Sequence, residues 1–466
     1  MSAKSLAGLL VKILGRENVI TAREDLLCYS FDAAQDVPAA PPAVVVTPRD
    51  TAQVSEVLRI AGRYGVPVYP RGSGTNLSGG TVPLQGGIVL SMLKMNRILD
   101  VDPDNLVAVV EPGVIIQELN NAVAPYGLIY PPDPGTVTTA TMGGSVAECS
   151  GGLRGLKYGV TKDYITGLDV VLADGRAASF GGKTVKNVTG YDLVKLFTGS
   201  EGTLGVITGI TVRLIPAPEA RKTMLATFDR LADAGNAVTG IVKSKVIPAT
   251  LEIMDQVTIS AVENFAKIGL PTQARAVLLI EVDGIPEVVE REAQTVMSVV
   301  ANHHGQLRLA GDERERYDIW TARRAALPAL AQLKPTTVLE DATVPRSQIT
   351  IMLEALEEIA QRYNLTIGTF GHAGDGNLHP TILTDERDRE EMERVHRAVE
   401  EIFRKALELG GTLSGEHGIG LAKTRFLEWE LGSAGLDVMK KVKSALDPHN
   451  LLNPGKMIPG GSVQHG

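Results

Sequence analysis

Apolar positions along this chain recur with two different periods. Near the N-terminus, Leu6, Leu9, Leu10, Ile13 and Leu14 fall three and four apart with charges between them, which predicts an amphipathic first helix. From Ala43 to about Pro218 the apolar residues form short runs instead: AVVVT, PVYP, GIVLS, LVAVVEP, GLDVVLADG and GVITGITVRLI. Glycine-rich stretches bound these runs, so this half is predicted to be strands and long loops, with an occasional helix such as Thr51–Tyr64. After the PAPEARK junction, strands such as MLATF, ATLEIMD and AVLLIEVDG alternate with helical spacing around Leu231–Lys243, Val257–Lys267 and Pro286–Ala301. Helices near Glu313–Leu333, Gln348–Tyr363 and Glu386–Leu409 flank one more apolar strand, LTIGTF, which runs directly into a glycine-rich turn. The tail is a helix followed by a Pro/Gly-rich segment that cannot continue it.

The pattern predicts an α+β protein. A ligand-oriented domain covers 1–218, and an α+β substrate or cap domain with an antiparallel sheet covers 219–425. A C-terminal helix and tail over 426–466 return to complete the first domain.

Length and charge narrow the classes. At 466 residues the chain exceeds one core. A formal net charge of −8, with basic residues scattered, argues against nucleic acid as a partner. The two cysteines, Cys28 and Cys149, lie far apart, so neither a disulfide framework nor an iron–sulfur cluster can be built from this chain, and a reducing, cytoplasmic setting is expected. No apolar stretch approaches the ~18 residues that span a bilayer, so membrane association would go through a partner.

The first candidate chemistry is a glycine-rich cradle. PVYPRGSGTNLSGG (67–80) ends an apolar strand and opens into a loop rich in glycine and hydroxyls. Glycines permit positive φ and let successive N–H groups converge on an anion. One such loop is usually only a turn. Two more lie on the same half, 131–175 and GSEGTLGVITGITVRL (199–214), and three together suggest one extended ligand carrying phosphates.

RGSGTNLSGG, MGGSVAECSGGLRGLKYG and TGSEGTLGVIT resemble the FAD-binding domain of the vanillyl-alcohol-oxidase type and not a Rossmann GxGxxG. The resemblance implies that Arg71, Gly72, Ser73, Gly74, Thr75, Ser78 and Gly79 hold the diphosphate. Gly135, Thr141, Gly143, Gly144, Ser145, Ser150, Gly151 and Gly155 would lie along flavin and ribitol, and Glu201, Gly202, Val206 and Ile207 at the adenine side. Members with covalent FAD in the first loop carry a histidine there; this loop has none, so the flavin is expected to be non-covalent.

The second candidate chemistry lies in GHAGDGNLHP and GEHGIG. Asp375-Gly376 is a hairpin cue that can fold the flanking segments back so that His372 and His379 face one point. Glu416 completes a two-histidine, one-carboxylate set suited to Zn, Mn, Fe or Co with positions open for substrate, leaving His417 as a base. A lone histidine is more often structural than a ligand. GHAGDGNLH, GEHGIG and the NPGK tail together resemble the flavin-linked 2-hydroxy-acid dehydrogenases, which include D-lactate dehydrogenase, D-2-hydroxyglutarate dehydrogenase and the glycolate oxidase flavoprotein subunit.

That resemblance runs from about residue 40 to 460. It implies FAD-dependent oxidation of a 2-hydroxy acid, with metal on His372, His379 and Glu416, proton transfer to His417, Arg323 on the substrate carboxylate and Asn453 among the cofactor contacts. Relatives specialised for 2-hydroxyglutarate carry a lysine in the strand that here reads TTVLEDATVP, so a monocarboxylic acid such as lactate or glycolate is expected. An electron-transfer flavoprotein, an iron–sulfur subunit or a quinone would re-oxidise the flavin. Three readings compete: another flavin oxidase, a non-catalytic electron-transfer subunit, and a non-haem iron oxygenase, which would have no reason for three anion-cradling loops.

Overall fold

A computed structural model describes residues 2–35, 37 and 40–459. They form two compact units: the first holds those up to 150 with 160–217 and those from 416 on, and the second holds 151–159 with 218–415. Two stretches therefore pack differently from the linear division at 218 and 425: 151–159 join the second unit, and 416–425 join the first. The last tail residues, 460–466, lie outside the described residues.

The first unit opens with the amphipathic helix Ala3–Leu14, which buries Leu6, Ala7, Leu10 and Leu14. Helix Thr51–Tyr64 starts where the Asp50 side chain accepts from Gln53 N and stops at left-handed Gly65. It links strands Val44–Val46 and Val68–Arg71, both parallel to Ile88–Ser91. Val44, Val46, Val68, Ile88 and Leu90 are buried in one core with both helices, and the alternate residues Val45, Tyr69 and Val89 are buried in another, which explains the unbroken apolar runs. A second, antiparallel sheet orders Ile98–Asp102, Val107–Val110, Val206–Arg213, Ile165–Val171 and Ala177–Gly181. The cradle loop leads from Val68–Arg71 to Ile88–Ser91 within the first sheet, and the third glycine-rich stretch leads from Ala177–Gly181 into Val206–Arg213 within the second.

The second unit is an eight-stranded antiparallel sheet. Its path runs Gln306–Leu309, Ala220–Phe228, Ala276–Gly284, Thr250–Asp255, Thr366–His372, Asn377–Thr384 and Thr336–Leu339, with Ala342–Thr343 also on Asn377–Thr384. Strand Ala276–Gly284 is buried along nearly its whole length because helices cover both faces. Helices Gln256–Ala266, Glu313–Arg324 and Ala326–Leu330 pack on Leu225, Met254, Val277, Leu279, Phe370 and Leu383. The span expected as one helix over 313–333 is broken at Ala325, which caps one helix and opens the next. Pro328 lies in the first turn of that second helix, where its missing N–H is tolerated.

Candidate active site

In the second unit the site grows from the hairpin Thr366–His372 and Asn377–Thr384. His372 pairs with Asn377 and Phe370 with His379 across the ladder. His379 is two residues beyond Asn377, and side chains two apart share a face, so both imidazoles rise from the same side as diagonal neighbours. Their ring centroids stand 5.1 Å apart and nearly perpendicular. The tight connection needs Gly376 at φ 88°, where an added Cβ would run into the Val344 carbonyl oxygen.

Each imidazole has a carboxylate on its Nδ1 side. Glu252 Oε1 is 2.7 Å from His372 Nδ1, and Asp341 Oδ1 is 3.6 Å from His379 Nδ1. Through that contact Glu252 sets the orientation of the His372 ring, whereas Asp341 stands beyond hydrogen-bond reach of His379 Nδ1. Glu252 and Asp341 are both fully buried. Burial alone would raise the Glu252 pKa, but the charges of His372 and Arg323, with their hydrogen bonds, outweigh it and hold the carboxyl below its ordinary value.

Arg323 is not on a solvated face. Its Nε donates to Glu252 Oε2, and its guanidinium lies 4.8 Å over the Phe370 ring. Arg324, by contrast, is exposed. Asp341 also accepts from Asn377 Nδ2 at 2.5 Å and from the Ser414 hydroxyl at 2.7 Å. A Cβ on Gly415 would press on Thr343 and Asn377. The last residues of the second unit therefore end beside Asp341 and the histidine hairpin, and Glu416 follows as the next residue in the chain.

In the first unit the cradle loop is built for close backbone approach. Gly74 takes φ 78°, and a Cβ there would collide with the Arg71 guanidinium; one on Gly72 would collide with the Thr141 hydroxyl. Asn76 Oδ1 accepts from Ser78 N and Gly80 N at 3.0 and 2.7 Å, folding Thr75–Gly79 into a tight loop. Arg71 itself turns inward, donating to Phe31 O and Thr81 Oγ1. Thr141 caps the helix Met142–Glu148 by accepting from Gly144 N, and Gly143 lies so close to Pro112 that no side chain fits. Ser145, Ser150 and Thr161 form a hydroxyl cluster behind it, and nothing crowds Gly135. Close packing of the protein thus accounts for glycine at 72, 74 and 143, while Gly135 stands beside open space.

Gly151 and Gly155 sit on the segment that joins the second unit, where Tyr158 donates to Asp283 at 2.7 Å. The side chains of Val206 and Ile207 fill the two cores of the first unit, which leaves only their backbone for a ligand. Gly202 is left-handed, against Pro70. Asn453 Nδ2 bridges Gly80 O and Glu201 O, both at 2.7 Å, bracing the first cradle loop against the third. Glu201 accepts from Ile419 N and Gly420 N, both at 2.7 Å, and so clamps the loop that carries Glu416 and His417. In that loop Glu416 Oε1 is 3.8 Å from His417 Nε2.

Glu252 and Asp341 are the residues that sequence reading missed. Glu252 is the lone charge inside the apolar run ATLEIM, and a charge in a strand otherwise destined for burial signals a buried partner. Asp341 was legible only as a departure from the 2-hydroxyglutarate pattern.

The comparisons with known proteins agree with this architecture. Residues 42–181 match the FAD binding domain family, and residues 217–457 match the family described as FAD linked oxidases, C-terminal domain. The glycolate oxidase subunit GlcD of Bacillus subtilis is 51% identical over 98% of this chain and 97% of its own length. The D-lactate dehydrogenase of Archaeoglobus fulgidus is 38% identical over 92% and 95% of the two chains. The 4-ethylphenol oxidase of Gulosibacter chungangensis superposes with a TM-score of 0.81 at 18% identity, covering 98% and 97%, which establishes the vanillyl-alcohol-oxidase type of fold. No helix among the described residues is long and apolar enough to cross a membrane. A cofactor-binding domain followed by a C-terminal oxidase domain, matched over nearly the full chain, places the protein in the FAD-linked oxidase family as an FAD-dependent oxidoreductase.

Proposed function

We propose that this enzyme oxidises a small monocarboxylic 2-hydroxy acid, of the glycolate or D-lactate class, to the 2-oxo acid. The observation that carries the reading is the pair of diagonal imidazoles, each with a buried carboxylate on its Nδ1 side. A carboxylate that fixes an imidazole through Nδ1, as Glu252 does for His372, commonly accompanies a metal-binding histidine. His372, His379 and Glu416 are then the ligand set for a divalent ion such as Zn, Mn, Fe or Co. The substrate class is supported by relatives named for glycolate and D-lactate, and by a strand that offers Leu339, Glu340 and Asp341 where a distal carboxylate would want a cation.

A divalent ion, when bound, supplies a positive charge that lowers the pKa of the substrate hydroxyl. FAD, when bound without a covalent link, supplies the acceptor for a hydride from the substrate carbon. His417 takes the hydroxyl proton on a ring nitrogen, a task suited to an imidazole. Arg323 meets the substrate carboxylate, and Glu252 holds the guanidinium in one orientation through its Nε. The cradle glycines bind the diphosphate through backbone N–H groups. Because the Bacillus subtilis relative is named as a subunit, a separate iron–sulfur or electron-transfer partner is the proposed route of re-oxidation.

Anaerobic addition of glycolate and D-lactate to the purified yellow protein tests the reading. Bleaching of the flavin band by either acid is expected; a flavin that stays oxidised with both would leave an electron-transfer subunit as the better account. His417→Ala should lower the rate of that bleaching by about two to four orders of magnitude with FAD retained.

A further inference from the structure

Two carboxyls in the first unit converge on the loop that carries Glu416 and His417. Glu148 is the last residue of the helix Met142–Glu148, directly before left-handed Cys149, and Glu201 is itself left-handed at φ 49°. A Cβ built on Gly418 would collide with Glu148 Oε2 and stand 2.9 Å from Glu201 Oε1, so both side chains press on the same backbone point. Gly418 escapes by being glycine at φ 78°. Glu201 is saturated: its two oxygens accept Ile419 N and Gly420 N. Glu148 Oε2 is sealed from solvent and has no hydrogen-bond partner among the described residues.

Two lysines face the pair: Lys456, buried and donating to Val82 O and Asn453 Oδ1, and Lys423; a third carboxylate, Asp32, acts on Glu148 against them. Burial first, then the like charges of Glu201 and Asp32, push Glu148 well above the carboxylate range. Burial also raises Glu201, but the two N–H donors and the lysines favour its charged form. Like carboxylates sharing one buried place cannot both ionise cheaply. A protonated Glu148 gives its sealed oxygen a hydrogen to donate, which removes the cost of a buried, unpartnered charge.

We propose that Glu148 and Glu201 act as one buried pair holding a single proton, carried by Glu148, and that this pair positions the Glu416–Gly420 segment for the oxidation. The inference rests on the reading of Glu416 as ligand and His417 as base. Both glutamates are positioning residues, acting through the backbone of Gly418, Ile419 and Gly420. Ionised Glu201 is the clamp, and neutral Glu148 fills the space beside it without adding a second charge.

The test uses the FAD-loaded enzyme and three variants. Glu201→Gln presents an NH₂ to one of the two backbone N–H groups, and kcat is expected to fall about tenfold to a hundredfold, the range for a small displacement of reacting groups. Glu148→Ala is expected to lose about tenfold or more, and Glu148→Gln, a neutral isostere, to recover most of that loss. Wild-type kcat in Glu201→Gln, or Glu148→Gln as impaired as Glu148→Ala, would overturn the proposal. A second readout needs no turnover. Infrared difference spectra at neutral pH should show a protonated carboxyl band in the wild type that Glu148→Gln removes, and absence of that band overturns the shared proton even if a variant fails to fold. Flavin that no hydroxy acid reduces would defeat the proposed activity while leaving the band to decide the pair.

Discussion

Replacing Glu252 with glutamine separates an ion pair from its shape. The side chain is fully buried and stands between two cationic or potentially cationic groups, Arg323 through Oε2 and His372 through Oε1. Glutamine keeps the volume but offers one acceptor, and its NH₂ opposes whichever donor it faces. Arg323, at 7% exposure, is then a buried guanidinium without a counter-charge. Removing one member of a buried pair typically costs 3–5 kcal/mol, so Glu252→Gln should destabilise the second unit by about 3 kcal/mol or more. His372 also loses the group that fixes its ring, and loss of such a hydrogen-bond partner weakens metal binding by about 10–100-fold. Urea unfolding gives the first quantity and titration with Mn²⁺ or Zn²⁺ the second. FAD content should not change, because Glu252 lies in the second unit and the cradle loops in the first. A variant within about 1 kcal/mol of wild type, with ion affinity changed less than twofold, would refute the claim that this carboxylate organises the site.

Gly74→Val should release FAD: valine cannot adopt φ 78° without strain and its Cβ strikes Arg71, so a variant purified fully yellow would remove the first loop from the diphosphate site. His379→Ala should lose bound metal and most turnover while staying yellow; retained wild-type activity would refute its role as ligand. Asp255 caps the helix Gln256–Ala266, accepts from Thr369 N, and is raised by burial to about 6. Its folded pKa exceeds the unfolded value, so its stabilising contribution is present below about pH 4 and lost as pH rises through about 6. The second unit should then weaken by about 3 kcal/mol between those limits. Asp255→Asn should flatten that dependence in urea unfolding, and an unchanged slope would count against the assignment.

Much of this enzyme was readable along the chain because the relevant physics is local. Helix Thr51–Tyr64 follows from its apolar spacing, its Asp50 cap and its terminal Gly65, all within 16 consecutive residues. The histidine hairpin follows equally from the Asp375-Gly376 turn, whose short connection dictates which residues face each other. The α+β class and the three glycine-rich loops are likewise properties of composition and period.

Other features depend on residues far apart in sequence, and no period connects them. Glu252 meets His372 across 120 positions, and Glu201 meets Gly420 across 219. The chain also crosses between units at 151–159 and again at 416, for which local pattern holds no signal, since a loop reads the same whichever core it packs on. Sequence alone thus determined the element types, the cradle glycines and the two histidines as candidates. Only the tertiary structure decided which carboxylates stand beside those histidines, that Arg323 is buried against Glu252, and that Glu148 and Glu201 share one place beneath Gly418. The reason is physical: backbone turns and amphipathic faces are set by neighbours a few residues away, whereas buried charges are tolerated only where distant strands bring their partners together.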